Sequence, residues 1–195
     1  LTCRDIPCLG GSMLNKHYLH QDVLPDLQTV FQREGSIQLQ HFLEDEWYLK
    51  LLDRVKRLHY KQEYYPQYSS FSLAPFSEKR FSEPIHEFAC KLLGASFQLR
   101  TAQAHCFQHR DYTLLHDELQ EEEGISVFVE LTPRWSVGYG GFTSFIHDNQ
   151  EMLRILPLGN TLTMVRTYPD MKRFVKYVNH RAERQKRYFL EFKYP

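Results

Sequence analysis

The hydrophobic period of this chain changes near residue 95, and that change limits the folds open to it. Upstream, apolar residues recur at helical spacing. Trp47, Leu51, Leu52, Val55 and Leu58 make one buried face over about 44–58. Glu44, Asp45 and Glu46 sit at its start and Arg54, Lys56 and Arg57 near its end, as the helix dipole favours. A shorter helix fits 25–34, with Pro25 in its first turn and Gly35 at its stop, and a third fits 84–93, between Pro84 and Gly94. Residues 36–42 alternate as an entry strand, and 60–82 read as a long polar and aromatic loop. Downstream the period is two. Phe97, Leu99, Thr101, Gln103, His105 and Phe107 share one face, and Ile125, Val127, Val129 and Leu131 another. Shorter strand-like runs follow at about 142–147, 152–156, 161–167, 173–178 and 187–194. Helices first and then about eight strands is an α+β, mainly β order, with a closed or sandwiched antiparallel sheet.

Composition narrows function mainly by exclusion. The 24 basic residues balance 24 acidic ones, so net charge gives no argument for nucleic acid or an anionic membrane. Cys3, Cys8, Cys90 and Cys106 are too sparse for a disulfide scaffold, which points to a reducing compartment. No apolar run approaches the roughly 20 residues of a membrane helix, and no signal peptide is visible. The chain starts at Leu1 without an initiator Met, as a fragment would. Residues 1–22 carry Pro7 and Gly10-Gly11 without a clear period and read as an arm or linker to a single domain over 23–195.

Four constellations could carry chemistry. His116 and Glu118 are two residues apart, so on a strand they point to one face. With a distant second His they would form a facial triad for Fe(II), but a surface strand end running into Glu121-Glu122-Glu123 explains the same residues. His109-Arg110-Asp111 also spells His-x-Asp. Cys3, Cys8, His17 and His20 have the ligand types of a zinc site, against the simpler reading of a flexible arm. The basic stretch Lys172, Arg173, Lys176, Arg181, Arg184, Lys186 and Arg187 could meet an acidic partner or be a solvated face. Tyr139-Gly140-Gly141-Phe142 marks a tight turn or a close backbone approach.

Taken together, three segments resemble a known family: Tyr112-Thr-Leu-Leu-His116-Asp117, Trp135 to Phe145 with its Tyr-Gly-Gly-Phe-Thr-Ser-Phe run, and Phe174-Val-Lys-Tyr-Val-Asn-His-Arg181. With Phe42-Leu43 and Glu78-Lys-Arg-Phe81 upstream, about residues 30–195 are similar to the C-terminal, degradation-type domain of the eukaryotic ribosomal prolyl hydroxylases, 2-oxoglutarate and Fe(II) oxygenases. The resemblance implies a double-stranded β-helix, a cupin-like jelly roll, with the helices packed on one sheet. It implies a domain without turnover or cofactor of its own, found in cytoplasm and nucleus. Such a domain binds the catalytic half of its parent and a regulatory protein, and in the family it is tied to controlled degradation in the oxygen response. In the catalytic pattern a distal His and a 2-oxoglutarate-binding Arg complete the site. Here the distal position falls near Arg173 or Phe174, and Arg187 or Arg184 lies near the Arg slot. An active oxygenase would need His116, Glu118 and His180 on iron, with Arg187 or Arg184 on the cosubstrate. If the site is silent, function moves to the surface, where Lys172, Arg173 and Lys176 with Tyr64, Tyr65, Tyr68 and Phe71 form the expected protein-binding face.

Overall fold

The computed structural model describes residues 12–66, 69–117 and 123–195, with the side chains of His116 and Asp117 outside the description. In chain order the elements are α1 (Val23–Glu34), β1 (Ser36–Gln40), α2 (Asp45–Lys56), β2 (Lys61–Tyr65), β3 (Ser69–Pro75), α3 (Lys79–Leu93), β4 (Thr101–Phe107) and β5 (Tyr112–Thr113). They continue with β6 (His116–Asp117), β7 (Gly124–Glu130), β8 (Thr143–His147), β9 (Gln150–Ile155), β10 (Thr161–Thr167), β11 (Lys172–Val175) and β12 (Arg187–Tyr194).

From β4 onward the chain passes back and forth between two antiparallel sheets. The larger runs β1-β10-β7-β12-β4-β3-β2, and the smaller runs β6-β11-β8-β9. This winding is the double-stranded β-helix. Period-two alternation splits each strand of the larger sheet between two cores. Leu190, Phe192 and Tyr194 of β12, with Val127 and Val129 of β7, face Leu51, Val55, Ile85 and Phe88 of the helices. Phe189, Phe128 and Phe107 face the other way, into the space between the sheets, where they meet Phe145 and Val175. Burying each large apolar side chain contributes about 1.5–3 kcal/mol, so the helical layer holds the larger sheet flat against one core while the barrel closes around the second.

Three local readings change. The stretch 60–82 is a hairpin, β2 with β3, followed by the start of α3. β2 is exposed on both faces, so it lacks the one-sided alternation that marks a half-buried strand. α3 begins at Lys79, leaving Pro84 inside the helix. Pro84 supplies no N–H to the Arg80 carbonyl, and Arg80 is exposed, so water can meet that oxygen. The described part of the N-terminal arm is docked: Met13 and Leu14 are buried, and the Asn15 N–H donates to Phe42 O at 2.8 Å. Among the described residues no helix is long and apolar enough to cross a membrane.

The paired glycines form a close backbone approach. Gly140 has φ +75°, and a Cβ there would lie 2.1 Å from the Tyr177 carbonyl oxygen; one at Gly141 would meet Trp135 and Val178. The Trp135 indole N–H donates to Gly140 O at 2.9 Å, tying the turn beneath the β11–β12 connection.

Candidate functional site

Between the two sheets lies a cavity of about 410 Å³. Its lining combines Phe71, Phe107 and Phe189 with His105, Arg173, Thr113 and Thr143. Strand register explains the placement. Arg173 stands opposite His116 on one side and opposite Phe145 on the other, at the start of β11. The family resemblance puts the distal His of the catalytic pattern near this point, at Arg173 or Phe174.

The Arg173 side chain turns inward, unlike the surface position expected for it. Its Nη1 donates to Glu191 Oε1 at 2.6 Å, and Glu191 is 1% exposed. Glu191 reaches this point because residues 187, 189 and 191 of β12 alternate into the barrel. Its second oxygen lies 3.0 Å from His105 Nε2, and Lys193 Nζ is 3.7 Å from Oε1. Burial alone would raise the Glu191 pKa. Arg173, Lys193 and His105 together outweigh it and hold the carboxyl well below its ordinary range. His105 is stacked on Phe189 at 4.5 Å and 6°. Burial pushes its pKa down, Arg173 and Lys193 push the same way, and Glu191 opposes them.

A pH dependence follows. Folded His105 stays neutral where the unfolded chain takes up a proton, below about 6.5. Its contribution to stability is therefore fully present above that pH and is lost as pH falls, by at most about 1.4 kcal/mol per pH unit. Urea unfolding at pH 7.5 and 5.5 is expected to show a smaller acid loss for His105→Phe than for the wild type. Equal losses would assign the proton uptake elsewhere.

The second arginine is also engaged. Arg187, fully buried, pairs with equally buried Glu130 through Nη2 and donates from Nη1 to Gly141 O at 2.5 Å and Thr143 Oγ1 at 2.9 Å. Burial pushes the Glu130 pKa up, against the pull of Arg187. Arg184 is exposed and lines a shallow depression beside His109. His180 is exposed, in a 3-10 turn of the β11–β12 connection, and does not line the cavity. Glu118, Tyr68, Cys3 and Cys8 lie outside the described residues. His17 and His20 are exposed, and His20 sits 3.3 Å from Asp22. Asp111, of the second His-x-Asp, is a turn residue accepting from Ser70 Oγ and Gln108 N. Another histidine–carboxylate group, His147, Asp148 and Asp170, gathers at the β8–β9 turn, and none of the three lines the cavity.

Among the described residues the cavity lining offers one imidazole, His105, and no carboxylate. A guanidinium has no lone pair to give a metal, and Arg173 stands opposite His116. His105 is the imidazole in the lining, and the carboxylate beside it is already bound to Arg173. Of the expected surface set, Lys176, Tyr64 and Tyr65 are exposed and Lys172 is half-buried, while Phe71 lines the cavity. Sequence reading gave no role to His105, Glu191 or Glu130. The signal was present in the two glutamates: Glu130 ends the apolar run of β7, and Glu191 stands between Leu190 and Phe192 in β12.

The fold is that of the 2-oxoglutarate and Fe(II) oxygenases of prolyl hydroxylase type. The Pseudomonas putida prolyl-4-hydroxylase superposes with a TM-score of 0.69 at 14% identity, covering 88% of this chain and 97% of that one. A Trichoplax adhaerens prolyl hydroxylase, in complex with a hypoxia inducible factor oxygen degradation domain peptide, gives 0.71 at 14% identity and 89% of each chain. No family model matches the sequence. Over part of its length the chain is similar in sequence to prolyl 3-hydroxylase OGFOD1. It is 37% identical to the Mus musculus protein over 81 residues, 40% of this chain and 15% of that protein. With the Xenopus laevis protein it shares 33% over 84 residues, 40% of this chain and 16% of that protein. The match thus spans less than a fifth of the length of these curated relatives.

Proposed function

We propose that this chain is the catalytically silent C-terminal double-stranded β-helix domain of a prolyl hydroxylase-type oxygenase and that it works by binding proteins. One observation carries the reading: the position facing His116 across the β6–β11 ladder holds Arg173, pinned to a buried glutamate. Iron and 2-oxoglutarate then belong to the catalytic domain of the parent protein, which is itself one of the partners. The experiment uses chain purified without chelator and supplied anaerobically with Fe(II), followed by aerobic 2-oxoglutarate. Iron far below one equivalent and no decarboxylation above buffer are expected. Stoichiometric iron or turnover restores the oxygenase reading.

The binding face we propose surrounds the cavity mouth. Tyr65 and Leu114 line the cavity, Leu115 and Tyr177 line the depression beside it, and all four are exposed as large apolar anchors, as is Tyr64, the neighbour of Tyr65 in β2. Lys176 lines an adjoining depression that shares Thr113, Leu114 and Val175 with the cavity. Lys172 and Lys176 add positive charge, suited to an acidic partner, which in this family includes a regulatory protein governing degradation. Lys172→Glu/Lys176→Glu is expected to release such a partner at lower salt than the wild type, since screening shortens the reach of surface charge to about 8 Å at physiological strength. Identical salt profiles would remove the lysines from the interface.

A further inference from the structure

We infer that the barrel cavity binds a neutral, planar ring compound bearing a hydrogen-bond acceptor, and refuses dicarboxylates. The inference rests on the reading of the domain as silent, because both depend on what Arg173 faces. At about 410 Å³ the cavity has the size of a small-molecule site.

Its walls favour rings. Phe71 of β3, Phe107 and His105 of β4, and Phe189 of β12 form a closed circuit of four neighbouring rings. Phe71 lies 5.5 Å from Phe107 at 12°, Phe107 lies 5.9 Å from Phe189 at 14°, Phe189 lies 4.5 Å from His105 at 6°, and His105 lies 6.1 Å from Phe71 at 24°. Three adjacent strands thus set near-parallel aromatic planes along one wall. A flat apolar guest gains both buried area and aromatic contact there.

Charge sets the second limit. Arg173 faces Glu191, and Arg187 faces Glu130, both glutamates being buried. Each arginine's charge is already matched by its glutamate, so a ligand carboxylate would add an unmatched negative charge to the interior, or would leave one behind if it displaced a glutamate. The uncharged polar groups point to the acceptor. Thr113 Oγ1 accepts from Val175 N at 2.7 Å, and Thr143 Oγ1 accepts from Arg187 Nη1 at 2.9 Å. Each hydroxyl keeps its own proton to donate, and both line the cavity.

A matched pair of probes tests this: coumarin, which is neutral and planar with a carbonyl, and coumarin-3-carboxylate. Each is titrated into the whole chain and followed by the methyl resonances of Val175 and Leu114. Saturable shifts with coumarin are expected, with at least tenfold weaker binding of the carboxylate. Val175→Phe, which fills the cavity, and Leu114→Trp, at its exposed mouth, should each weaken coumarin at least tenfold. The Leu114 variant keeps the test valid if the buried substitution fails to fold. Carboxylate binding as tight as coumarin, shifts confined to other residues, or affinity unchanged in the folded variants overturns the inference. If coumarin and 2-oxoglutarate both fail to bind, only this inference falls. If 2-oxoglutarate moves the same methyls, the silent reading falls with it.

Discussion

Replacing Arg187 with Met is expected to lower the unfolding free energy by about 3–5 kcal/mol. Glu130 would remain in a site with no exposure and no counter-charge, and Gly141 O and Thr143 Oγ1 would each lose a donor. For a domain of this size each kcal/mol moves the melting temperature by roughly 2–4 °C, so thermal melts should drop by roughly 6–20 °C. Adding Glu130→Leu removes the orphaned charge and should recover more than half of the loss, because an apolar pair of similar volume commonly replaces a buried ion pair without harm. A single variant within about 1 kcal/mol of wild type by urea unfolding would mean that Glu130 is protonated or solvated when alone.

Gly140→Ala is expected to cost at least about 3 kcal/mol. The backbone there has φ +75° and ψ −145°, a region that L side chains avoid, and the new Cβ would collide with a backbone carbonyl that cannot rotate away. Gly94→Ala is the control. It also has positive φ, but nothing lies within 4 Å of its Cβ, so only a conformational cost of about 1 kcal/mol is expected. Equal losses at both positions, read from urea midpoints, would mean that the Tyr177 contact does not constrain the turn.

Some of this architecture was legible from residues alone. The amphipathic face of α2 and the strands at 161–167 and 187–194 appear where the periods placed them, the helix burying one face and each strand dividing its alternating residues between two cores. β2 escaped because it has no buried face to print a pattern, and α3 began earlier than Pro84 because a proline is tolerated where the orphaned carbonyl meets water. Arg173 and Phe174 could be read from the sequence as the residues near the distal position that the resemblance implies. What the text could not give is which way Arg173 points. Phe174, the other candidate, instead packs edge-on to Phe142 at 6.5 Å. The pairing of residue 173 with 191, and of 191 with 105, joins three strands drawn from both sheets, and no local pattern encodes it.

The position of β12 governs how such a domain can be made. The last strand in sequence lies in the middle of the larger sheet, between β7 and β4. Until it inserts, β4 and β7 each present a bare hydrogen-bonding edge, and the helical core lacks Leu190, Phe192 and Tyr194. A chain emerging from the ribosome therefore cannot complete its sheet until residue 194 has cleared the exit tunnel. Nascent chains halted before β12 should be protease-sensitive throughout the β region and prone to strand-edge association, the setting in which chaperones act. Deletions from the C-terminal side would leave two half-sheets without a seam.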